Sequence, residues 1–359
     1  MTSRQGTGTA PPFDVVIPNL NRRFSGITST LSAVVPLQAR EFTLVSAGTP
    51  FTEAIPHLGI RQLPRKLRDN RQRTVIFHAR RNNEMLLGLF LRKLEGPNLH
   101  LIFTSTAQRA HSRWTRSLYR RMDTLLSTSP RAASFLHRAP DQIIPHGIDV
   151  NTYHPSPDRE REWAESGLPG RYGIGIFGRI RPQKGLGEFV RALCATLPKH
   201  PDFTAVIIGE TTPRFEAFEK ELKALIGQHG LSDRFVWLGK RPFGEIPGWF
   251  RRMSLVACVS RHEGFGLTCL EAMASGAAVV ATQPGAFDML VHEGEHGTII
   301  PCNDSDSLAG AFDELLQNPD HLKALGLRAR KHVEANFRIQ DEANALNDLY
   351  RTILGTSDY

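Results

Sequence analysis

The chain has 359 residues, of which 40% are hydrophobic and 22% charged, a composition that fits two globular domains and excludes collagen-like, coiled-coil and wholly disordered chains. No apolar run approaches the roughly 20 residues that span a bilayer. The formal net charge of +8 is unevenly placed: residues 1–150 carry 21 Lys and Arg against 9 Asp and Glu, and the remainder carries 23 against 27.

Residues 1–12 read as a short disordered lead without the apolar stretch of a secretory signal. Strands are predicted at 13–17, 42–45, 74–77, 99–103, 124–127 and 142–144, alternating with longer helical patterns. That alternation marks βαβ units and a parallel sheet, giving a Rossmann-like domain over 13–152. Nineteen of the 21 cations in residues 1–150 are Arg, whose planar fork suits phosphate and carboxylate, so an anionic partner is expected here. The segment 108–125 places Arg109, Arg113, Arg116 and Arg120 at helical spacing with Trp114, Leu118 and Met122 interleaved. Such a basic stripe suits peripheral contact with an anionic membrane face.

A Pro/Gly-rich, charged stretch at 153–171 reads as an inter-domain linker. Strands resume at 173–177, 204–208, 235–238, 255–259, 278–281 and 298–300, giving a second Rossmann-like domain over 172–340. A last helix within 341–359 lies beyond the final strand and is placed to cross back to the first domain. Cys194, Cys258, Cys269 and Cys302 are scattered through apolar stretches, as expected of buried thiols in a reducing cytoplasm.

Three motif matches fail on context. His292-Glu293-Gly294-Glu295-His296 spells the zinc-protease pattern, but its glycines favour a loop where that motif needs a helix. Gly173 to Gly178 spells the dinucleotide fingerprint but is itself a strand. Asp304-Ser305-Asp306 could hold a metal, yet it stands just before a helical run and suits N-capping. No metal and no cofactor are expected.

Chemistry gathers in the second domain. Gly178-Arg179 ends its first strand and Lys184-Gly185 opens the next helix, so two cations share one strand–helix turn at the sheet edge where ligands bind. Glu263-Gly264-Phe265-Gly266-Leu267-Thr268 leads into another helix, whose N-terminus can receive an anion. Glu263 and Glu271 flank that turn, and a carboxylate accepts two charge-assisted hydrogen bonds from a vicinal diol. Gly285 supplies a further tight turn at the same edge.

The joint pattern GRIRPQKG at 178–185 and EGFGLTCLE at 263–271 resembles the retaining nucleotide-sugar glycosyltransferases of family 4, with the GT-B fold. The segment 144–149 resembles that family's interdomain strand end. More narrowly, NLNRRFSGITST at 19–30, FHARRNNEM at 77–85 and FTSTAQRAHS at 103–112 look like bacterial lipopolysaccharide core mannosyltransferases. The resemblance implies that Arg179 and Lys184 bind the donor diphosphate, that Glu271 takes the ribose and Glu263 the transferred sugar, and that catalysis is metal-independent. It also implies a GDP-mannose donor. The chain departs from the family pattern at Thr104, where many members carry His, and at His146, where many carry Asn. His78 is the nearest substitute catalytic residue, with His111 behind it.

Gly26 is all that remains of the glycine loop after the first strand, and it is expected to approach the donor phosphates. Arg22, Arg23, Arg80 and Arg81 follow strand ends and face the crevice, where they suit an anionic lipid-linked oligosaccharide acceptor. The expected site is therefore cytoplasmic, at the inner membrane face. Two other readings compete: a GT-B-fold nucleotide-sugar epimerase and a nucleic-acid-binding protein. Only 8% of residues are aromatic and no RNA-binding motif is present, so no nucleic-acid partner is expected.

Overall fold

The computed structural model describes residues 12–22, 25–96, 98–283 and 285–355. Residues 1–11 of the expected lead, Arg23 and residues 356–359 lie outside the described residues. The first sheet contains β1 (Val15–Asn19), β2 (Leu44–Gly48), β3 (His57–Leu58), β4 (Val75–Ala79), β5 (Leu99–Ser105), β6 (Thr124–Ser127) and β7 (Gln142–Ile143). The second contains β8 (Tyr172–Phe177), β9 (Phe203–Ile208), β10 (Phe235–Gly239), β11 (Met253–Cys258), β12 (Ala278–Thr282) and β13 (Gly297–Ile300). Their orders are β3-β2-β1-β4-β5-β6-β7 and β10-β9-β8-β11-β12-β13, with parallel pairing throughout. Two Rossmann-like α/β units therefore stand in series, as the alternation of elements predicts.

The strands are apolar on both faces because helices cover both faces. In β1, Val15 and Ile17 join one core layer with Leu31 of the Gly26–Gln38 helix, while Val16 joins the opposite layer with Leu91 of the Asn82–Glu95 helix. The strand β3 escapes sequence reading: two residues on an edge carry no period.

The stretch expected to be a linker is part of the second unit. Its helix Arg159–Ala164 buries Trp163 in the same core as Phe250 and Met253. Arg159 donates to the carbonyls of Arg251, Ser275 and Gly276. Proline and glycine there mark irregular backbone rather than exposure, and the chain crosses between units earlier, near His146 to Val150. A second crossing runs beside it. The Ile148 N–H donates to the Phe337 carbonyl and the Ile339 N–H to the Ile148 carbonyl, while Glu342 accepts from the Gly147 N–H and contacts His146 Nδ1 at 2.8 Å. The last helix, Ile339–Leu354, then buries Ile339, Ala343, Leu346 and Tyr350 in the core of the first sheet. No helix among the described residues is long and apolar enough to cross a membrane.

Candidate active site

Strand order reverses between β1 and β4 in the first sheet and between β8 and β11 in the second. Ligands of open α/β sheets bind outside the carboxyl ends of the strands at such a reversal. Strand β8 ends at Phe177 and delivers Gly178 and Arg179; β11 ends at Cys258 and delivers the loop from Arg261 to Gly266. The two elements singled out in the sequence thus emerge side by side.

Glycine permits their close approach. Gly185, at φ +75°, would drive a Cβ to 2.0 Å from the Val259 carbonyl, so the turn that carries Lys184 packs on β11 only without a side chain. Gly266, at φ +111°, caps the Leu267–Ala274 helix and has no room for a Cβ beside Phe287. That helix begins its ladder with the N–H groups of Cys269 and Leu270, both directed to the Gly266 carbonyl. The N–H groups of Leu267 and Thr268 stay outside the ladder, at the positive end of the helix.

Lys184 Nζ donates to Glu263 Oε2 at 2.6 Å, with side chains 21% and 22% exposed. Glu263 Oε1 accepts from the Gly264 N–H at 3.2 Å. Gly178 and Arg179 are exposed beside this pair. Arg261 fastens the loop to the neighbouring turn, donating from its side chain to buried Glu188 at 2.6 Å and from its backbone to the Gln183 carbonyl. Glu271, one turn into the helix and half-buried, accepts from the Tyr153 hydroxyl at 3.3 Å. Burial pushes the Glu271 carboxyl up to about 7; the Tyr153 hydrogen bond and the Lys184 charge pull it down, and the Glu263 charge raises it. Phe265 differs from expectation: its ring is buried, edge-on to His146 at 5.1 Å, so it supports the loop from beneath and offers a ligand no side chain.

The two edges meet. A Cβ on Gly26 would lie 3.8 Å from Leu267, and one on Gly264 would lie 3.5 Å from the Thr106 carbonyl. The Gly285 N–H donates to Gln108 Oε1 at 3.1 Å, and Arg131 donates to the Gln283 carbonyl at 2.7 Å. Thr106, Gln108 and Arg131 were missed in the sequence; their place just after β5 and β6, the first two in a loop and Arg131 in the Pro130–Ser134 helix, was the available signal.

The first edge corrects two expectations. His78 is fully buried, with Nδ1 at 2.6 Å from the Tyr350 hydroxyl and Nε2 at 2.7 Å from Thr104 Oγ1. Both ring nitrogens are taken, and burial, reinforced by the Arg80 charge, holds its pKa well below the usual histidine value. It holds Thr104 near the end of β5 and presents no unengaged ring nitrogen to the crevice. Arg81 is likewise occupied, donating to buried Glu84 at 2.6 Å and to Asn19 and Ser25 at 3.2 Å each, which ties β1 to two helices. Arg80 is half-buried and Arg22 is exposed. His111 is half-buried, 3.3 Å from Ser105 Oγ, in the loop that meets the second unit.

Away from the crevice, Asp304 caps the Ser305–Leu316 helix, accepting from the N–H groups of Asp306 and Ser307. The residues 291–296 form a turn, not a helix. The helix expected across 108–125 is confined to Arg113–Tyr119, with Leu118 and Met122 buried and Trp114 exposed.

Residues 158–332 match the family described as Glycosyl transferases group 1. The chain is 43% identical over 344 residues to the lipopolysaccharide core biosynthesis mannosyltransferase LpcC of Rhizobium leguminosarum bv. viciae, covering 95% of this chain and 97% of that protein. It is 37% identical over 348 residues to the lipopolysaccharide core biosynthesis mannosyltransferase LpsB of Rhizobium meliloti (strain 1021), covering 95% and 98%. The crystal structure of Anabaena HepE in complex with UDP shares the fold, with a TM-score of 0.83 at 19% identity over 94% of this chain and 100% of that one. Likeness along nearly the whole chain, joined to two facing Rossmann-like units, makes this protein a member of the group 1 glycosyl transferases, a GT-B enzyme that uses a nucleotide-sugar donor and an oligosaccharide acceptor.

Proposed function

We propose that the enzyme transfers mannose from GDP-mannose to the inner core of lipopolysaccharide, with retention of configuration and without a metal ion. Near full-length likeness to two lipopolysaccharide core mannosyltransferases favours this sugar and acceptor. The observation that carries the donor assignment is the Lys184–Glu263 pair at the β8/β11 reversal. A diphosphate competes with Glu263 for the Lys184 ammonium, and sugar hydroxyls then donate to the released carboxylate. Arg179 and the N–H groups at the start of the Leu267–Ala274 helix flank the same space. As the glycosidic bond lengthens, negative charge grows on the leaving diphosphate and these donors stabilise it where it develops. Glu271 accepts from the ribose diol. The acceptor hydroxyl attacks the anomeric carbon from the face the diphosphate leaves and gives its proton to that departing diphosphate, so the configuration is retained without a covalent intermediate.

Arg22 and Arg80, at the carboxyl edge of the first sheet, bind the acidic groups of the acceptor. That acceptor is lipid-linked, and a surface suited to an anionic membrane lies on the same unit. Leu86, Phe90 and Leu94 stand at successive turns of the Asn82–Glu95 helix and are 49%, 57% and 48% exposed. Trp114 projects from the adjoining Arg113–Tyr119 helix, with Arg113, Arg120 and Arg121 exposed around it. Apolar insertion framed by arginines suits anionic lipid. Co-sedimentation with phosphatidylglycerol vesicles should weaken in high salt and in Phe90→Ser; binding indifferent to both contradicts this surface.

The test of the reaction is a screen of GDP-, UDP- and ADP-sugars with deacylated inner core oligosaccharide, with and without chelator. GDP-mannose should be consumed only when acceptor is present, at a rate chelation leaves unchanged. Transfer from a uridine or adenosine donor in preference overturns the donor, and consumption without acceptor favours an epimerase.

A further inference from the structure

We infer that His292, His296 and His332 form a binding site for a divalent transition-metal ion of the zinc type, remote from the glycosyl-transfer site and independent of it. His292 and His296 stand in the turn between the Phe287–Leu290 helix and β13, and His332 projects from the Pro319–Asn336 helix. One ligand nitrogen from each ring lies within 4.8 Å of the other two. The ring centroids are 4.9 Å apart for His292 and His296, 4.1 Å for His296 and His332, and 5.0 Å for His292 and His332. Tetrahedral zinc, with bonds of about 2.0–2.1 Å, sets its nitrogens about 3.4 Å apart. The rings therefore close inward by about an ångström on binding.

The turn is built to make that adjustment. The His292 side chain is 53% exposed, and Gly294 two residues on has φ +72°. His332 supplies the fixed side: its Nε2 is buried without a hydrogen-bond partner, a state that costs free energy and that a metal bond relieves. Glu295 completes the constellation, with Oε2 at 3.6 Å from His292 Nδ1 and 4.0 Å from His296 Nε2. A carboxylate so placed either supplies a fourth ligand or accepts the second N–H of a metal-bound imidazole. Three imidazoles favour zinc, cobalt, nickel or copper over the oxygen-seeking magnesium and calcium.

The place of the site determines what the ion does. Gly297, just after the turn, pairs with Val279 near the amino end of β12, so the histidines lie at the sheet edge opposite Glu263. The helix of His332 also carries Arg330, which donates to the carbonyls of Val150 and Tyr153, where the chain enters the second unit, and of Ala274. A metal here staples the turn to that helix and takes no part in transfer. The two histidines of the discarded zinc-protease match thus serve a metal after all, on a turn and with a third ligand the motif does not contain.

The test is equilibrium dialysis of the full-length, untagged chain against zinc chloride with metal analysis, together with cobalt titration followed by visible absorption and thermal unfolding. One zinc per chain, visible d–d bands with cobalt and a raised unfolding midpoint are expected. His292→Gln, an exposed change the fold tolerates, should weaken zinc binding by at least about tenfold and abolish the thermal shift while leaving the transfer rate unchanged. His332→Gln should abolish binding. No zinc retained by the wild-type chain, or retention unchanged in both variants, overturns the site.

Discussion

At the carboxyl edge of the second sheet, glycines set the geometry: Gly185 and Gly266 let two loops close on β11 and on Phe287, leaving Lys184, Glu263 and helix N–H groups turned to the crevice. At the matching edge of the first sheet, side chains set it: Arg81 is held by Glu84, Asn19 and Ser25, and His78 by Tyr350 and Thr104. The two edges share a strand order and a reversal point. A backbone-built edge presents charge-complementary groups to a diphosphate, whereas an edge built from packed side chains is shaped one residue at a time. The proposed division, with the donor on the second unit and the acceptor on the first, rests on this difference.

Breaking the backbone-built edge has the largest expected effect. Glu271→Ala should lower kcat/KM for the donor by about a hundredfold or more, the loss of two charge-assisted hydrogen bonds to the ribose diol at about 1.5–3 kcal/mol each, with an unchanged circular dichroism spectrum. A near-normal rate would take the ribose role from Glu271.

The side-chain edge should answer in stability. His78 is buried with a depressed pKa, so below about 6.5 the unfolded chain takes up a proton that the folded chain refuses. Its contribution is therefore intact above about 6.5 and is lost as pH falls, at up to about 1.4 kcal/mol per pH unit. Chemical denaturation near neutrality and at mildly acidic pH should show this slope, and His78→Gln should flatten it. An unchanged slope in the variant would mean that other groups carry the dependence.

A smaller effect concerns the pH profile of the donor edge. With the Glu271 carboxyl near 7, kcat/KM for the donor should fall as pH drops through that value, because the protonated acid accepts fewer hydrogen bonds from a diol. The Tyr153 hydroxyl favours the ionised form, so Tyr153→Phe should move this limb to higher pH. A move to lower pH, or none, would remove Tyr153 from the site.

Most of the fold and the close approach of the two loops at the second sheet's edge are legible in the sequence because both rest on local patterns. Apolar strands flanked by helices give the parallel sheets, and glycines beside Lys184 and Glu263 show where backbone must approach backbone. The first edge is less legible. His78 and Thr104 meet only through the pairing of β4 with β5, and Tyr350 reaches them from the far end of the chain. Nothing local to Phe77-His78-Ala79 distinguishes a buried positioning histidine from a catalytic one. The segment 153–171 misleads for a related reason: the burial of Trp163 depends on Gly173 and Met253, which no property of the segment itself reveals. Gln108 and Arg131 touch the other unit through Gly285 and Gln283, contacts that exist only once both sheets are placed.

The division of labour between the two edges is tested most directly by steady-state kinetics of Lys184→Ala and Arg80→Gln, each measured against both substrates. Lys184→Ala should impair donor saturation and turnover and leave the acceptor KM unchanged, while Arg80→Gln should raise the acceptor KM by about tenfold, the loss of one charge-assisted contact, and leave the donor KM unchanged. A donor KM that rises strongly in Arg80→Gln, or an acceptor KM that rises in Lys184→Ala while donor saturation stays normal, would contradict the assignment of the donor to the second edge and the acceptor to the first.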